Sequence, residues 1–200
     1  MSFVVIEGGE GSGKGTVIEG LKAHFTDAIF TREPGGTPMA EEIRECVLAP
    51  RDESVDGMTE LLLVFAARAQ HLASLIKPAL AQGQRVICDR FTDSTYAYQG
   101  VARALGAQRV TALEALVQED LRPDLVVLLD LDPRIGQQRI ASRARAQDRL
   151  DAETLDFHEA VRRAYLSRAE HAPSRYAIVD ATQAPERVLA QVIEAIEGCP

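Results

Sequence analysis

The run Gly8-Gly9-Glu10-Gly11-Ser12-Gly13-Lys14-Gly15-Thr16 constrains this chain more than any other stretch. It follows the apolar segment Phe3-Val4-Val5-Ile6 and precedes a helix-like stretch at residues 17–25. Strand, glycine loop, lysine and helix in that order make a G-x-x-x-x-G-K match a phosphate site. Glycines let successive backbone N–H groups point into one cavity. The helix start adds unpaired donors and the positive end of its dipole. Lys14 would reach the outer phosphates. One position departs from the pattern, which wants Ser or Thr after the lysine to hold magnesium. That position is Gly15, and the hydroxyl comes one residue later, at Thr16. The backbone cradle survives the change, but the metal's direct ligand is left to a water or to a carboxylate from elsewhere.

Strand-like runs recur at residues 3–6, 28–31, 85–88, 125–131 and 176–179. They are short and mostly apolar, as strands buried on both faces should be. Helical patterns separate them. Ile43, Cys46 and Val47 share a face, as do Val110, Leu113, Leu116 and Val117. The last helix carries Val188, Leu189, Val192, Ile193 and Ile196. Pro133 and Pro185 fall where a first helical turn accepts proline, with Asp132 as a cap before Pro133. This alternation predicts a parallel sheet with helices on both faces, in one domain over residues 1–200. The strands lead into Glu7, Arg32-Glu33, Asp89-Arg90, Asp130 or Asp132, and Asp180. Ligands of open parallel sheets bind beyond the carboxyl ends of the strands, so a polar site is expected there.

The formal charge of −8 argues against a broad nucleic-acid surface. Any anion site must be a local basic cluster. Cys46, Cys88 and Cys199 are odd in number and widely spaced. They read as reduced thiols of a cytoplasmic protein, with no zinc spacing. No apolar run approaches a membrane span, and the N-terminal residues read as a strand instead of a signal peptide.

Three further stretches carry candidate chemistry. Arg32-Glu33-Pro34-Gly35-Gly36-Thr37 makes a sharp turn that would wall the phosphate loop, with Arg44 on the following helix. Residues 61–71 form an apolar helix with Arg68 inside it, where an arginine is costly to bury without an anionic partner. Phe65 lies three residues before it on the same face. That pair fits either a nucleobase site or a core Phe beside a snorkelling Arg. Arg139, Arg143, Arg145 and Arg149 crowd a short segment. They fit a lid closing over transferring phosphates or a solvated face, and the phosphate loop favours the lid.

Together these motifs resemble the bacterial thymidylate kinases over nearly the whole length. The resemblance rests on the loop at residues 6–14, Thr31-Arg-Glu-Pro-Gly-Gly-Thr37, Phe65-Ala-Ala-Arg68 and Asp89-Arg-Phe91 with Ser94-Thr95. Ala97-Tyr-Gln-Gly100 and Asp148-Arg149 complete it. It implies a P-loop NTPase-type three-layer α/β fold, with a five-stranded parallel sheet and an arginine-rich lid at about 142–151. It also implies transfer of phosphate from ATP, with magnesium, to dTMP in a cytoplasmic homodimer. Residue by residue, Gly8, Gly9, Glu10, Gly11, Ser12, Gly13, Lys14, Gly15 and Thr16 would hold ATP. Glu10 would also meet the acceptor's 3′-hydroxyl. Arg44 and Arg90 would hold its phosphate beside Pro34. Arg68, Thr95 and Gln99, with Phe65, would contact the thymine, and Tyr98 would crowd the 2′ position. Asp89 and Thr16 are the candidate magnesium contacts. Lys14, Arg90 and the lid arginines Arg143, Arg145 and Arg149 would serve the transfer itself. The family's base-stacking aromatic usually lies four residues before the arginine, and here that position is Val64. Either Phe65 stacks after a small shift, or Val64 makes a looser contact.

Other classes compete. A guanine-nucleotide switch wants an Asn-Lys-x-Asp motif, and the sequence contains no asparagine. An ATPase without an acceptor is separable by acceptor-dependent turnover. A kinase for another nucleoside monophosphate is the nearest rival.

Overall fold

The computed structural model describes residues 2–142 and 149–199. Its sheet consists of β1 (Phe3–Gly8), β2 (Ile29–Arg32), β3 (Val86–Asp89), β4 (Leu125–Asp130) and β5 (Tyr176–Asp180). The order is β2-β3-β1-β4-β5, with every neighbouring pair parallel. The helices are α1 (Lys14–His24), α2 (Pro38–Leu48), α3 (Gly57–His71), α4 (Lys77–Ala81), α5 (Thr92–Thr95), α6 (Ala107–Gln118), α7 (Pro133–Ala141), α8 (Leu155–His171) and α9 (Pro185–Glu197). Stretches of wider π-type winding follow α3 at Leu72–Ile76 and α5 at Tyr96–Ala102.

The expected layers follow from alternation along β1. Val4 and Ile6 turn to one face, where α1 and α9 bury Val17, Leu21, Val188, Val192 and Ile196 against them. Phe3 and Val5 turn to the other, under Leu72, Ile76 and Ala79. Each buried Val, Leu, Ile or Phe among these contributes about 1.5–3 kcal/mol by leaving water. Farther along, Phe157, Val161 and Tyr165 of α8 close over Leu128.

Boundaries differ from the sequence reading by one or two residues, for local reasons. β4 stops at Asp130 because Asp132 caps α7, its carboxylate accepting from the Arg134 N–H at 2.8 Å. β1 runs on through Glu7 and Gly8, paired with Leu128 and Leu129. Glu7 therefore sits inside the sheet on the face of Phe3 and Val5. The turn after β1 needs glycine at Gly11, which has φ 75° and where a Cβ would lie 2.4 Å from the Gly136 carbonyl of α7. Among the described residues, no helix is long and apolar enough to cross a membrane.

Candidate active site

The phosphate loop leaves β1 and enters α1 at Lys14, whose ammonium donates to the Gly8 carbonyl at 2.9 Å. Burial and the neighbouring Arg90 lower its pKa. Arg90 follows β3 with φ 67°, a conformation that costs a non-glycine residue roughly 1–3 kcal/mol. Two bonds enforce it. The Arg90 N–H donates to the Ile6 carbonyl at 3.0 Å. The next N–H, of Phe91, donates to the Glu7 carboxylate at 2.8 Å. The guanidinium is thereby aimed at the loop, donating to the Gly8 carbonyl at 3.2 Å and pairing with Glu10. Tyr98 donates to the same Glu10 oxygen at 3.0 Å, and its ring lies beneath the guanidinium. Burial alone would raise the Glu10 carboxyl, but Arg90, Lys14 and the Tyr98 hydroxyl pull it down to about 2.

Glu7 is fully buried behind this cluster. It accepts from the Phe91 and Ser94 N–H groups and from the Ser94 and Tyr165 hydroxyls. Burial pushes its carboxyl up to about 7, Asp93 adds to the rise, and Arg90 with these bonds limits it. The sign for stability follows. Between the ordinary 4.5 and about 7, folded Glu7 keeps its proton while the unfolded chain releases it. Glu7 therefore costs stability as the pH climbs through that window, by at most about 1.4 kcal/mol per pH unit. Glu10 has the opposite sign, adding stability that is lost as the pH falls towards 2. Urea unfolding at pH 5, 6 and 7 should show wild type losing stability relative to Glu7→Gln. Parallel curves would mean that Glu7 does not titrate there.

Beside Arg90 lies a cavity of about 400 Å³, lined by Val47, Val64, Arg68, Phe91, Tyr98 and Gln99 among others. Arg68 is 1% exposed and has its anionic partner. Its Nε donates to Glu33 at 2.7 Å and its Nη2 to the Thr95 hydroxyl at 2.9 Å. Its Nη1 is buried without a partner among the described residues. The other Glu33 oxygen lies 3.0 Å from His71 Nδ1, and His71 Nε2 lies 2.7 Å from the Thr31 hydroxyl. The structure places Val64 and Phe65 differently. Val64 is on the cavity wall, whereas Phe65 points into the core with Leu61, Tyr96 and Val110. One residue is about 100° around a helix, so only one of the pair can face the cavity. Phe65 instead backs the guanidinium, 4.7 Å from its ring centre, with Phe91 at 4.9 Å.

Gln99 donates from Nε2 to Glu60 at 2.6 Å, and Glu60 has no exposed surface. The same carboxylate pairs with Arg149 and, at 3.5 Å, with Arg103. Arg149 also donates from Nε to the Val47 carbonyl at 3.0 Å, satisfying the C-terminal end of α2. Of the expected lid arginines, Arg149 thus bonds to Val47, which lines the cavity, and to Glu60, which holds Gln99. Arg143 and Arg145 lie outside the described residues.

Two further clefts adjoin the loop. One, of about 1110 Å³, brings together loop residues 10–16 with Pro34, Arg44, Asp89 and Arg90. Arg44 donates to the Pro34 carbonyl at 2.8 Å, and burial lowers its pKa. Asp89 Oδ1 is buried without a partner among the described residues, and no cluster of three His, Cys, Asp or Glu arranged for a metal occurs among them. Thr16 lies on the boundary with the second cleft, of about 620 Å³. Arg139 crosses that cleft, donating to the Gly11 and Ala181 carbonyls at 3.3 and 3.0 Å. Its partners are not those of Arg149.

The strand ends contribute unequally. Glu7, Glu33, Asp89 and Arg90 converge, whereas Asp130 pairs with Arg162 and Asp180 caps its own turn through Thr182. Sequence reasoning did not single out Glu60 or His71, and it named Glu33 and Arg139 only as parts of wider stretches. A signal for Glu60 existed. It stands four and eight residues before Val64 and Arg68, on one helical stripe of α3.

A family model described as thymidylate kinase matches residues 6–192. A thymidylate kinase of Pseudomonas putida (strain GB-1) is 52% identical over 200 residues, covering 98% of this chain and 95% of the relative. One from Pseudomonas fluorescens (strain Pf0-1) is 56% identical over 185 residues, covering 90% and 88%. The crystal structure of thymidylate kinase from Ehrlichia chaffeensis superimposes with a TM-score of 0.78 at 29% identity, covering 98% of each chain.

Proposed function

The chain belongs to the thymidylate kinase family, and we infer from its geometry which residues carry the reaction. It phosphorylates dTMP to dTDP with ATP and magnesium, a step towards dTTP for DNA synthesis. In our reading, residues 8–16 cradle the ATP phosphates, with Lys14 on the outer ones. The cleft crossed by Arg139 takes the rest of the donor. The buried cavity takes the thymine, and Arg44 and Arg90 hold the acceptor phosphate against Pro34. Glu10 meets the sugar 3′-hydroxyl, and Tyr98 closes the 2′ side.

One observation carries this assignment. The cavity wall includes Arg68, which has a buried guanidinium nitrogen with no protein partner among the described residues, and Gln99, whose amide nitrogen is bonded to Glu60. That leaves a donor and an acceptor on that wall. Thymine presents the complement, a carbonyl beside a ring N–H. Thr95 already accepts from Arg68, so its first task is to hold the reader in place.

In-line transfer needs positioning and charge stabilisation, and no covalent intermediate. The acceptor is already an anion, so no strong general base is required. Bound magnesium would supply neutralisation of phosphate charge. The unpaired Asp89 oxygen would hold it or its waters, and Thr16 lines the same cleft. We assign Arg143, Arg145 and Arg149 to the closing of the site and to charge on the moving phosphoryl group. We also place the enzyme in the cytoplasm, supported by three free cysteines. A homodimer is supported by exposed Leu62 and Leu116 on α3 and α6.

The division into donor and acceptor clefts is tested by Arg44→Ala. Loss of a charge-assisted contact to the acceptor phosphate should raise the KM for dTMP about tenfold or more. The KM for ATP should stay put. A shift confined to ATP would reverse the assignment.

A further inference from the structure

We infer that Glu60 is a positioning residue that sets the hydrogen-bond polarity of the base cavity, by deciding which end of the Gln99 amide faces it. This rests on the acceptor-site reading above. A glutamine amide is ambidextrous, with two donors at one end and an acceptor at the other. Turned one way, Gln99 would select a base that donates; turned the other, one that accepts. Nothing in the residue itself chooses. Glu60 does, from 39 residues away, because a carboxylate flanked by the guanidinium groups of Arg149 and Arg103 accepts and does not donate. The Gln99 nitrogen must face it, at 2.6 Å, and the oxygen is left for the cavity. Glu60 has no exposed surface and is not part of the cavity wall, so it reaches the base through Gln99, which is on that wall.

Arg68 needs no such choice, since a guanidinium only donates. The cavity therefore presents a fixed pair, donor at Arg68 Nη1 and acceptor at Gln99 Oε1. A thymine edge satisfies both. A cytosine edge, an amino group beside an unprotonated ring nitrogen, opposes both. Reversing Gln99 would remove one of the two oppositions, so discrimination should relax without inverting. A merely structural Glu60, neutralising Arg149 and Arg103, would leave the ratio between acceptors unchanged.

Glu60→Gln separates these cases, because the new amide can offer either end to Gln99. The ratio of kcat/KM for dTMP to that for dCMP should fall at least about tenfold, the cost of one misdirected buried hydrogen bond. The change should sit in acceptor KM, with the KM for ATP unmoved. In a Gln99→Ala background the same substitution should leave the ratio alone. An equal loss for both acceptors, or the same ratio change without Gln99, overturns the inference. Should Glu60→Gln not fold, the wild-type protein still answers. The assigned Gln99 side-chain amide protons should resist solvent exchange both free and with dTMP, and rapid exchange in either state overturns it. A wild-type enzyme that prefers dCMP would refute the acceptor-site reading itself, before Glu60 is touched.

Discussion

Lys14→Met is expected to slow phosphoryl transfer at least about 10²-fold while leaving a folded protein. The lysine's ammonium is held against the Gly8 carbonyl, at the mouth of α1, where charge from the donor's outer phosphates must gather. Burial and Arg90 both press against its charge, so it is poised to gain more from an anion than an exposed lysine would. Methionine matches its length and keeps the apolar stem, but offers no donor. The loop's shape rests on glycine backbone at Gly11 and Gly13, which the substitution does not touch. Single-turnover rates with saturating ATP and dTMP make the check, beside a thermal melt. Near-wild-type transfer in the variant would remove Lys14 from the site.

The second large effect is acceptor choice. Across monophosphates assayed by coupled ADP release, dTMP should lead and CMP and AMP should trail by on the order of 10³-fold or more. A site built to hydrogen-bond a group rejects an analogue that leaves its buried polar atoms unmatched. Here those atoms are Arg68 Nη1 and the Gln99 carbonyl oxygen. dUMP differs from dTMP only by a methyl, worth about 1–3 kcal/mol, and should remain a poor but real substrate. The sugar is read separately. Tyr98 is fixed by its hydroxyl on Glu10 and by Arg90 over its ring, so the bulk we propose for the 2′ side of the sugar is rigid. Tyr98→Phe should keep the preference for deoxyribose, and Tyr98→Ala should relax it. CMP or AMP as best substrate would sink the thymine reading and leave the kinase. Full activity with no acceptor would sink both.

Much of this site is legible in the sequence, but unevenly. The residues proposed to read the base, Arg68, Thr95 and Gln99, come from a resemblance carried by short motifs. What holds each of them does not. Arg68 reads as an arginine in need of an anion, yet the sequence does not say that the anion is Glu33, 35 residues earlier. Phe65 and Val64 were indistinguishable as wall residues, because a helical pattern fixes a face and leaves the rotation of that face open by about one residue. Arg149 read as one of four clustered arginines. Its attachment to Glu60 and to the end of α2 separates it from Arg139, which bridges the loop to the end of β5.

By itself, then, the sequence determined the phosphate loop, the parallel α/β layering, the cap at Asp132 and the proline in the first turn of α9 at Pro185. These follow from rules that act within a few residues: glycine's access to positive φ, period-two and period-3.6 apolar patterns, and orphan donors at helix starts. Only the tertiary structure decided the polar partnerships. Glu7 with Tyr165, Glu33 with Arg68 and His71, and Glu60 with Gln99 and Arg149 join residues from 35 to 158 positions apart. A buried carboxylate must find a donor. Which donor it finds depends on strand order and helix rotation, and no local pattern in the chain encodes either to within one residue.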